Sequence, residues 1–149
     1  MGEIKAICIS KKRGTAKYQI EEGTFVKGWG ILSDAHAGHW HRQVSLLSYE
    51  RFMEFKMRGA DISYGAFGEN LLVSGYDFKT YPVGTIFTVG NVVLRVTQIG
   101  KKCHSHCEIF HRMGECIMPH EGVFAEVICG GKVHVGDELK LWKNYSKFY

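Results

Sequence analysis

The stretch that decides the fold is TIFTVGNVVLRVTQI, residues 85–99. It contains two runs rich in β-branched and apolar residues, Thr85–Val89 and Val92–Ile99, which flank Gly90 and Asn91. Two such runs separated by two turn-forming residues predict a β-hairpin. Nearer the C-terminus, Val123–Cys129 and residues 133–142 flank a Gly-Gly turn and predict two more strands.

The N-terminal half predicts further short strands and one main helix. Residues 3–10, 18–20 and 43–47 have strand composition. Ser48 is typical of a helix N-cap, and the helix is expected to continue through Arg58 and to end at Gly59. The helical spacing of four residues predicts a single core-facing side, formed by Tyr49, Phe52, Met53 and Met57. Many short strands, glycine-rich turns and one helix predict a mainly β protein, either a closed β-barrel or a sandwich.

Composition limits the class of protein. The 149 residues are 45% hydrophobic and 23% charged, which is ordinary for one globular domain; we expect a domain over 4–142 and a tail over 143–149. The net charge of +4 is dispersed, so nucleic-acid binding is disfavoured. No apolar run approaches the roughly 20 residues needed to span a bilayer, which predicts no membrane association. The N-terminus lacks a signal-peptide pattern, so we expect a cytoplasmic protein with reduced thiols.

Residues 100–122 concentrate soft metal ligands. They read GKKCHSHCEIFHRMGECIMPHEG and include Cys103, Cys107 and Cys116. One interpretation is a reactive or metal-ligating thiolate, favoured by nearby lysines and, for Cys107, by the N-terminus of a short helix. A second is a zinc site, although the spacing lacks a C-x2-C pair. A third is that the cysteines are small buried side chains without a chemical role. We favour this interpretation only for Cys8 and Cys129, which lie within apolar strands.

Two further polar segments are candidates for the walls of a pocket. Residues 31–42 read ILSDAHAGHWHR, which predicts a loop that presents His36, His39 and Arg42; the alternative is a surface loop that satisfies its own backbone. In residues 62–75, Glu69 and Asn70 follow a glycine-bracketed phenylalanine. They are expected either at a pocket rim or in a tight turn that enters a strand.

These segments carry a family resemblance. FGENL, Phe67–Leu71, resembles the hallmark of MOSC domains, named after the C-terminal region of molybdenum cofactor sulfurases. DAHAG, Asp34–Gly38, resembles their G-D-x-H-x-G segment, with Ser33 in place of the first glycine. Val135–Asp137 before the last strand is also similar, and the landmarks stand in the family's order across nearly the whole chain.

The resemblance implies a closed β-barrel, similar to the pyruvate-kinase β-barrel, with one main α-helix and short helical turns. It also implies a protein that binds molybdenum cofactor or carries sulfur as a cysteine persulfide. In amidoxime-reducing members one cysteine ligates molybdenum. Cys107 most resembles that cysteine and Cys103 also resembles it, but both lack the usual preceding proline, and Cys116 is an additional thiol.

The site expected from the resemblance has three groups of residues. The reactive thiols are Cys107 and Cys103, and the metal ligands would be drawn from Cys107, Cys103 and Cys116. The residues expected to contact or shape an anionic pterin cofactor are His36, His39, Arg42, Phe67, Gly68, Glu69, Asn70 and Lys102. An arginine fork in particular suits phosphate.

Partners and alternatives follow from the same reasoning. A sulfur carrier would receive sulfur from a donor such as a cysteine desulfurase, and a reductase would need electrons from another protein. The chain shows no lysine motif for pyridoxal phosphate, so that cofactor is expected only in fused or partner domains. The alternatives are a non-catalytic Cys/His zinc module and an adaptor for a cofactor-biosynthesis enzyme.

Overall fold

The computed structural model describes residues 2–100 and 121–142. Within them, the helix α1 spans Tyr49–Met57 and a 3-10 turn spans Phe78–Thr80. The strands are β1 Gly2–Ile9, β2 Tyr18–Ile20, β3 Glu22–Val26, β4 Gly30–Ile31, β5 Val44–Ser48, β6 Leu71–Val73, β7 Ile86–Val89, β8 Val92–Ile99, β9 Val123–Cys129, β10 Gly131–His134 and β11 Glu138–Leu141. In these ranges no helix has the length and apolar character needed to cross a membrane.

Seven strands close into a barrel. Their order is β11-β7-β8-β9-β5-β6-β1, and β1 pairs with β11 through Gly2 and Leu139 to complete the ring. The β5–β6 pair is parallel and the other described pairs are antiparallel. Closure matters because it removes the unpaired edges at which open sheets associate. The predicted closed β-barrel with one main helix is therefore confirmed.

The predicted hairpin forms two adjacent strands of this ring. β7 and β8 pair from Ile86↔Arg95 to Val89↔Val92, and Gly90 between them has φ of +57°. Val92, Leu94 and Val96 of β8 point inward, because alternate residues of a strand face the same side of the sheet. A smaller sheet of β10, β3 and β4 packs beside the barrel; β3 was not predicted from its glycine-interrupted sequence.

Strand β1 separates two apolar cores. Ile7 and Ile9 belong to the cluster that fills the barrel, whereas Ala6 and Cys8 belong to the cluster that lies under α1. This division follows from the alternation of side chains along a strand. The outer cluster also contains Phe67, which makes edge-to-face contact with Phe52 of α1. The helix is thereby packed against the turn that precedes β6.

The ends of α1 are as predicted, but its buried face is not. Ser48 caps the helix by accepting the Arg51 backbone N–H at 3.3 Å, and Gly59 follows the C-cap with φ of +103°. Phe52 and Phe55 are the buried residues of the helix, whereas Met57 is 84% exposed. Including Met57 in the core face was wrong. Met57 follows Phe55 by two positions, and at about 100° per residue it lies on the opposite side of the helix.

Two other sequence predictions have different outcomes. Cys8 is buried as expected, but Cys129 is exposed, so the prediction that it packs inside was wrong. A β-bulge explains the difference, because the register between β8 and β9 shifts between the pairs Val93↔Cys129 and Leu94↔Val127. The proposed tail, residues 143–149, lies outside the described residues.

The buried face of α1 provides a stability test. We expect Phe55→Ala to lower the free energy of unfolding by about 3–5 kcal/mol, because it removes a fully buried aromatic ring. The matched control Met57→Ala should change it by no more than about 0.5 kcal/mol. Urea denaturation monitored by circular dichroism measures both, and a larger effect at Met57 than at Phe55 would contradict the described packing.

Candidate functional site

A small polar pocket opens beside the barrel, where the loop before β5 meets the turn before β6. Its cavity volume is about 110 Å³. The lining residues are His36, Trp40, Arg42, Ser45, Phe67, Gly68, Asn70 and Phe124. The pocket thus combines three sequence segments that are distant along the chain.

Asp34 anchors the loop that forms one wall. Its carboxylate is buried and accepts from the Ser10 backbone N–H at 3.0 Å and from Asn70 Nδ2 at 3.0 Å. Lys17 Nζ donates to it at 2.7 Å, and the two side chains are only 1% and 0% exposed. A buried carboxylate with this many donors remains ionised, and removing either partner of a buried ion pair typically costs about 3–5 kcal/mol.

Lys17 also connects this ion pair to the pocket. Its Nζ lies 3.3 Å from Ser10 Oγ and 3.0 Å from Nδ1 of His36, which lines the pocket. Lys17 was not predicted from the sequence, because it stands in no motif. Its backbone is held by the glycine turn, since Lys17 N–H donates to the Gly65 carbonyl at 3.3 Å. A Cβ at Gly65 would lie 2.4 Å from the Lys17 carbonyl oxygen, so this close approach requires glycine.

Asn70 joins three strands at the pocket wall. Its Nδ2 donates to the Cys8 carbonyl at 3.0 Å and to Asp34, and its Oδ1 accepts the Ser45 backbone N–H at 2.9 Å. The Ser45 hydroxyl lies 3.2 Å from the same oxygen. Because an amide has two donor hydrogens and one acceptor oxygen, these bonds use its full capacity. Asn70 therefore shapes the pocket without a free amide group for a ligand.

Glu69 holds the turn at Gly65 and Phe67 through hydrogen bonds to its backbone. Its carboxylate is fully buried and accepts the backbone N–H groups of Gly65 at 2.7 Å and Phe67 at 3.0 Å. It is absent from the pocket lining of the described residues, so its expected position at the rim was wrong and the tight-turn alternative is the observed one. Burial raises the pKa of Glu69 from 4.5 to about 7, against the opposing effect of the two backbone donors.

Arg42 brings positive charge to the pocket. Its guanidinium lies over the rings of Trp40, 5.6 Å from the centroid, and Phe124, at 5.3 Å. Its Nε is buried and has no hydrogen-bond partner in the part of the chain that the structure describes. Buried N–H groups are normally paired. Aromatic faces hold the cation in place while leaving this donor unused, which is the arrangement expected of a site for an anionic group.

The other predicted site residues lie in different places. Phe67, Gly68 and His36 line the pocket. His39 does not: it is exposed, its Nδ1 lies 3.0 Å from the Gly28 carbonyl, and its ring contacts Trp29. Lys102, Cys103, Cys107 and Cys116 lie outside the described residues. Ranges 2–100 and 121–142 contain no group of three or more His, Cys, Asp or Glu side chains placed to hold a metal.

Trp40, Ser45 and Phe124 were not predicted from the sequence. Trp40 lies between His39 and His41 and is largely apolar, and Ser45 and Phe124 lie in strands whose local pattern indicates only secondary structure. They meet because β5 pairs with β9, with Ser45 opposite Phe124. Only that pairing, which joins positions far apart in sequence, places them in one pocket.

The described residues that flank segment 101–120 lie near this pocket. The Gly100 backbone N–H donates to the Gly122 carbonyl at 2.7 Å, and Gln98 pairs with Phe124 across β8 and β9. Phe124 lines the pocket and stands two residues after Gly122. Cys103, Cys107 and Cys116 belong to the sequence between Gly100 and Glu121 and lie outside the described residues.

Burial of Glu69 predicts a specific pH dependence. Because its folded pKa exceeds its unfolded value, the folded state binds more protons between pH 4.5 and about 7, and this contribution to stability falls as pH rises through that window. We expect the unfolding free energy of wild type minus that of Glu69→Gln to fall by about 1–3 kcal/mol across it. Urea denaturation at several pH values measures this difference. The difference between wild type and the exposed control Glu138→Gln should show no such fall. A difference between wild type and Glu69→Gln that stays constant across the window would refute the raised pKa.

Comparison with solved structures identifies similar folds. YuaD from Bacillus subtilis superposes with a TM-score of 0.77 at 20% identity, covering 93% of this chain and 94% of that one. YiiM from Geobacillus stearothermophilus has a TM-score of 0.71 at 18% identity, with coverages of 97% and 76%. YiiM from Escherichia coli has a TM-score of 0.66 at 21% identity, with coverages of 95% and 70%. At these identities the likeness concerns the fold alone.

Sequence comparison supplies the family. No curated protein matches the chain significantly. The family model described as MOSC domain matches residues 33–140, which include the Asp34 loop, the FGENL turn and the strands β5–β10. The match extends over more than half of the chain and agrees with the closed barrel described above. The chain therefore belongs to the MOSC domain family.

Proposed function

We propose that this MOSC protein binds molybdenum cofactor, with the anionic end of the pterin in the described pocket and Cys107 or Cys103 as the metal ligand. The observation that carries the proposal is Arg42, a half-buried cation whose Nε is buried without a hydrogen-bond partner among the described residues. An unused guanidinium donor in a polar pocket favours a phosphate or another anionic oxygen group as ligand.

The residues of the pocket fit part of such a ligand. Pockets for drug-sized molecules have volumes of about 300–1,000 Å³. The described cavity of about 110 Å³ is smaller, so these residues would hold the anionic group and not the whole pterin. Arg42 would supply charge and a forked donor, Phe67 and Phe124 an apolar wall, and the Asn70 network a rigid base.

A thiolate ligand from Cys103 or Cys107 is chemically reasonable. Cysteine forms its thiolate more readily near positive charge, and a thiolate is a soft ligand for transition metals. Both cysteines precede Phe124 in the sequence, and the Phe124 ring lies against the Arg42 guanidinium. When bound, the cofactor would supply a redox-active metal. Reduction of a substrate would then require electrons from a partner protein.

The same thiolate supports a second function, sulfur carriage. Attack of the thiolate on the terminal sulfur of a donor's persulfide would transfer that sulfur and release the donor's thiolate, without an external oxidant or reductant. A cysteine desulfurase is the expected class of donor. Both functions fit a reducing compartment, and the five cysteines support the cytoplasm as that compartment.

Loading experiments test the proposal directly. The full chain is produced in a molybdenum-replete host and purified without oxygen, and molybdenum, pterin and zinc are quantified together with persulfide by intact-mass spectrometry. We expect molybdenum and pterin in equal amounts, with Cys107→Ser or Cys103→Ser abolishing the metal and Cys116→Ser retaining it. Persulfide without molybdenum would support the carrier function instead.

Other outcomes would overturn both functions. Stoichiometric zinc whose removal by a chelator unfolds the protein would support the zinc module. Absence of molybdenum, pterin, persulfide and zinc, together with stable binding to a desulfurase or cofactor-synthesis enzyme, would support the adaptor.

Substitution of Arg42 tests most directly whether the pocket holds the anionic group of the cofactor. We expect Arg42→Gln to weaken cofactor retention roughly 10- to 100-fold, since a charge-assisted hydrogen bond contributes about 1.5–3 kcal/mol. The matched control is Arg95→Gln on β8, because Arg95 is exposed and pairs with Glu126. Equal loading of the Arg42 and Arg95 variants would show that the pocket does not hold the anionic group.

A further inference from the structure

We propose that Lys17 is a positioning residue that fixes the tautomer of His36, so that the imidazole is neutral and carries its hydrogen on Nε2. His36, which lines the pocket, would then be neutral, and Arg42 would supply the positive charge. The proposal deepens the proposed function and rests on it only for the identity of the ligand. The tautomer itself follows from contacts within the protein.

The charge of Lys17 follows from its contact with the buried carboxylate of Asp34. Asp34 accepts from Ser10 N–H at 3.0 Å, Asn70 Nδ2 at 3.0 Å and Lys17 Nζ at 2.7 Å, all in buried surroundings. Three donors stabilise the ionised form of a carboxylate. A buried anion in turn needs a cation beside it, and Lys17 is the residue in that position. Lys17 is therefore an ammonium ion.

The geometry around the ammonium group then determines His36. An ammonium ion has three donor hydrogens and no acceptor. Lys17 Nζ has three neighbours at hydrogen-bond distance: Asp34 Oδ1 at 2.7 Å, Ser10 Oγ at 3.3 Å and His36 Nδ1 at 3.0 Å. A contact of 3.0 Å with a donor-only group requires a lone pair on Nδ1. A neutral imidazole with an unprotonated Nδ1 carries its hydrogen on Nε2.

The two other states of the ring are disfavoured by the same contact. The Nδ1–H tautomer and the doubly protonated imidazolium would both direct an N–H at the ammonium hydrogens. The imidazolium would also add a positive charge beside Lys17, in a pocket that already contains Arg42.

The surrounding structure holds the ring in this position. The Trp40 Nε1–H donates to the His36 carbonyl at 2.9 Å, and the Ala35 backbone N–H donates to the Ser10 carbonyl at 2.8 Å. These bonds attach both sides of His36 to neighbouring segments. Lys17 therefore acts through His36 and not on the ligand, and among the described lining residues Arg42 is left as the cation that faces an anionic group.

The same loop contains a natural control with the opposite tautomer. His39 Nδ1 lies 3.0 Å from the Gly28 carbonyl oxygen, which can only accept. The Nδ1 of His39 must therefore carry a hydrogen. His36 and His39 are three residues apart and are expected to differ in which ring nitrogen is protonated.

Nitrogen-15 NMR of the ligand-free full chain tests the inference. Long-range ¹H–¹⁵N correlation spectra at mildly alkaline pH distinguish the ring nitrogens, and His36→Gln and His39→Gln assign the signals. We expect His36 to show an unprotonated Nδ1 and a protonated Nε2, with His39 showing a protonated Nδ1. A His36 signal with hydrogen on Nδ1, or on both nitrogens, overturns the proposal.

A substitution separates positioning from folding. Lys17→Met has a side chain of similar length without a hydrogen-bond donor, so we expect His36 to lose its single tautomer while His39 keeps its own. If this variant does not fold, the wild-type spectrum alone decides. A folded Lys17→Met variant with an unchanged His36 spectrum would contradict the role of Lys17.

The spectra also separate this inference from the proposed function. The expected His36 tautomer in a protein that takes up neither molybdenum nor pterin would overturn the cofactor proposal and leave the role of Lys17 standing. Uptake of cofactor by a protein whose His36 is an imidazolium would overturn the role of Lys17 alone.

Discussion

The buried ion pair between Lys17 and Asp34 is the interaction on which the site depends. Its two charges lie almost entirely out of solvent, and Asp34 also accepts hydrogen bonds from Ser10 and Asn70. Ser10 and Lys17 lie in the segment between β1 and β2, Asp34 in the loop before β5 and Asn70 in the turn before β6. A charge buried in this way is tolerated only when each partner is in place, so the pair holds three segments in one arrangement.

The polar residues at the site divide into those that build the pocket and those that face a ligand. Asp34, Glu69 and Asn70 use their hydrogen-bonding capacity within the protein. In the FGENL turn the acid holds backbone N–H groups and the amide joins strands, which explains why these residue types stand there. Arg42 differs, because aromatic rings hold its guanidinium and its Nε has no partner among the described residues. The charge at the pocket is therefore held by a framework that a ligand does not need to rearrange.

The family assignment and the proposed chemistry rest on different grounds. Membership of the MOSC family follows from the match over residues 33–140 and agrees with the closed barrel. The proposal of a pterin-bound molybdenum or a persulfide rests on the cationic pocket and on the cysteines that the sequence places between Gly100 and Gly122. Cys8 does not offer an alternative thiol, since it is buried and burial raises its pKa to about 12.

The sequence by itself determined the elements that local chemistry controls. Two β-branched runs around Gly90 and Asn91 identified the β7–β8 hairpin, Ser48 and Gly59 marked the limits of α1, and the DAHAG and FGENL segments indicated the family and contain four of the pocket residues. Only the tertiary structure decided which distant residues meet: Lys17 with Asp34, Ser45 with Phe124, and Phe55 in place of Met57 against the barrel. The physical reason is that periodicity and capping act over a few residues, whereas ion pairs, strand register and bulges depend on how separate segments pack. A one-residue bulge sufficed to expose Cys129, and nothing in its local sequence indicated it.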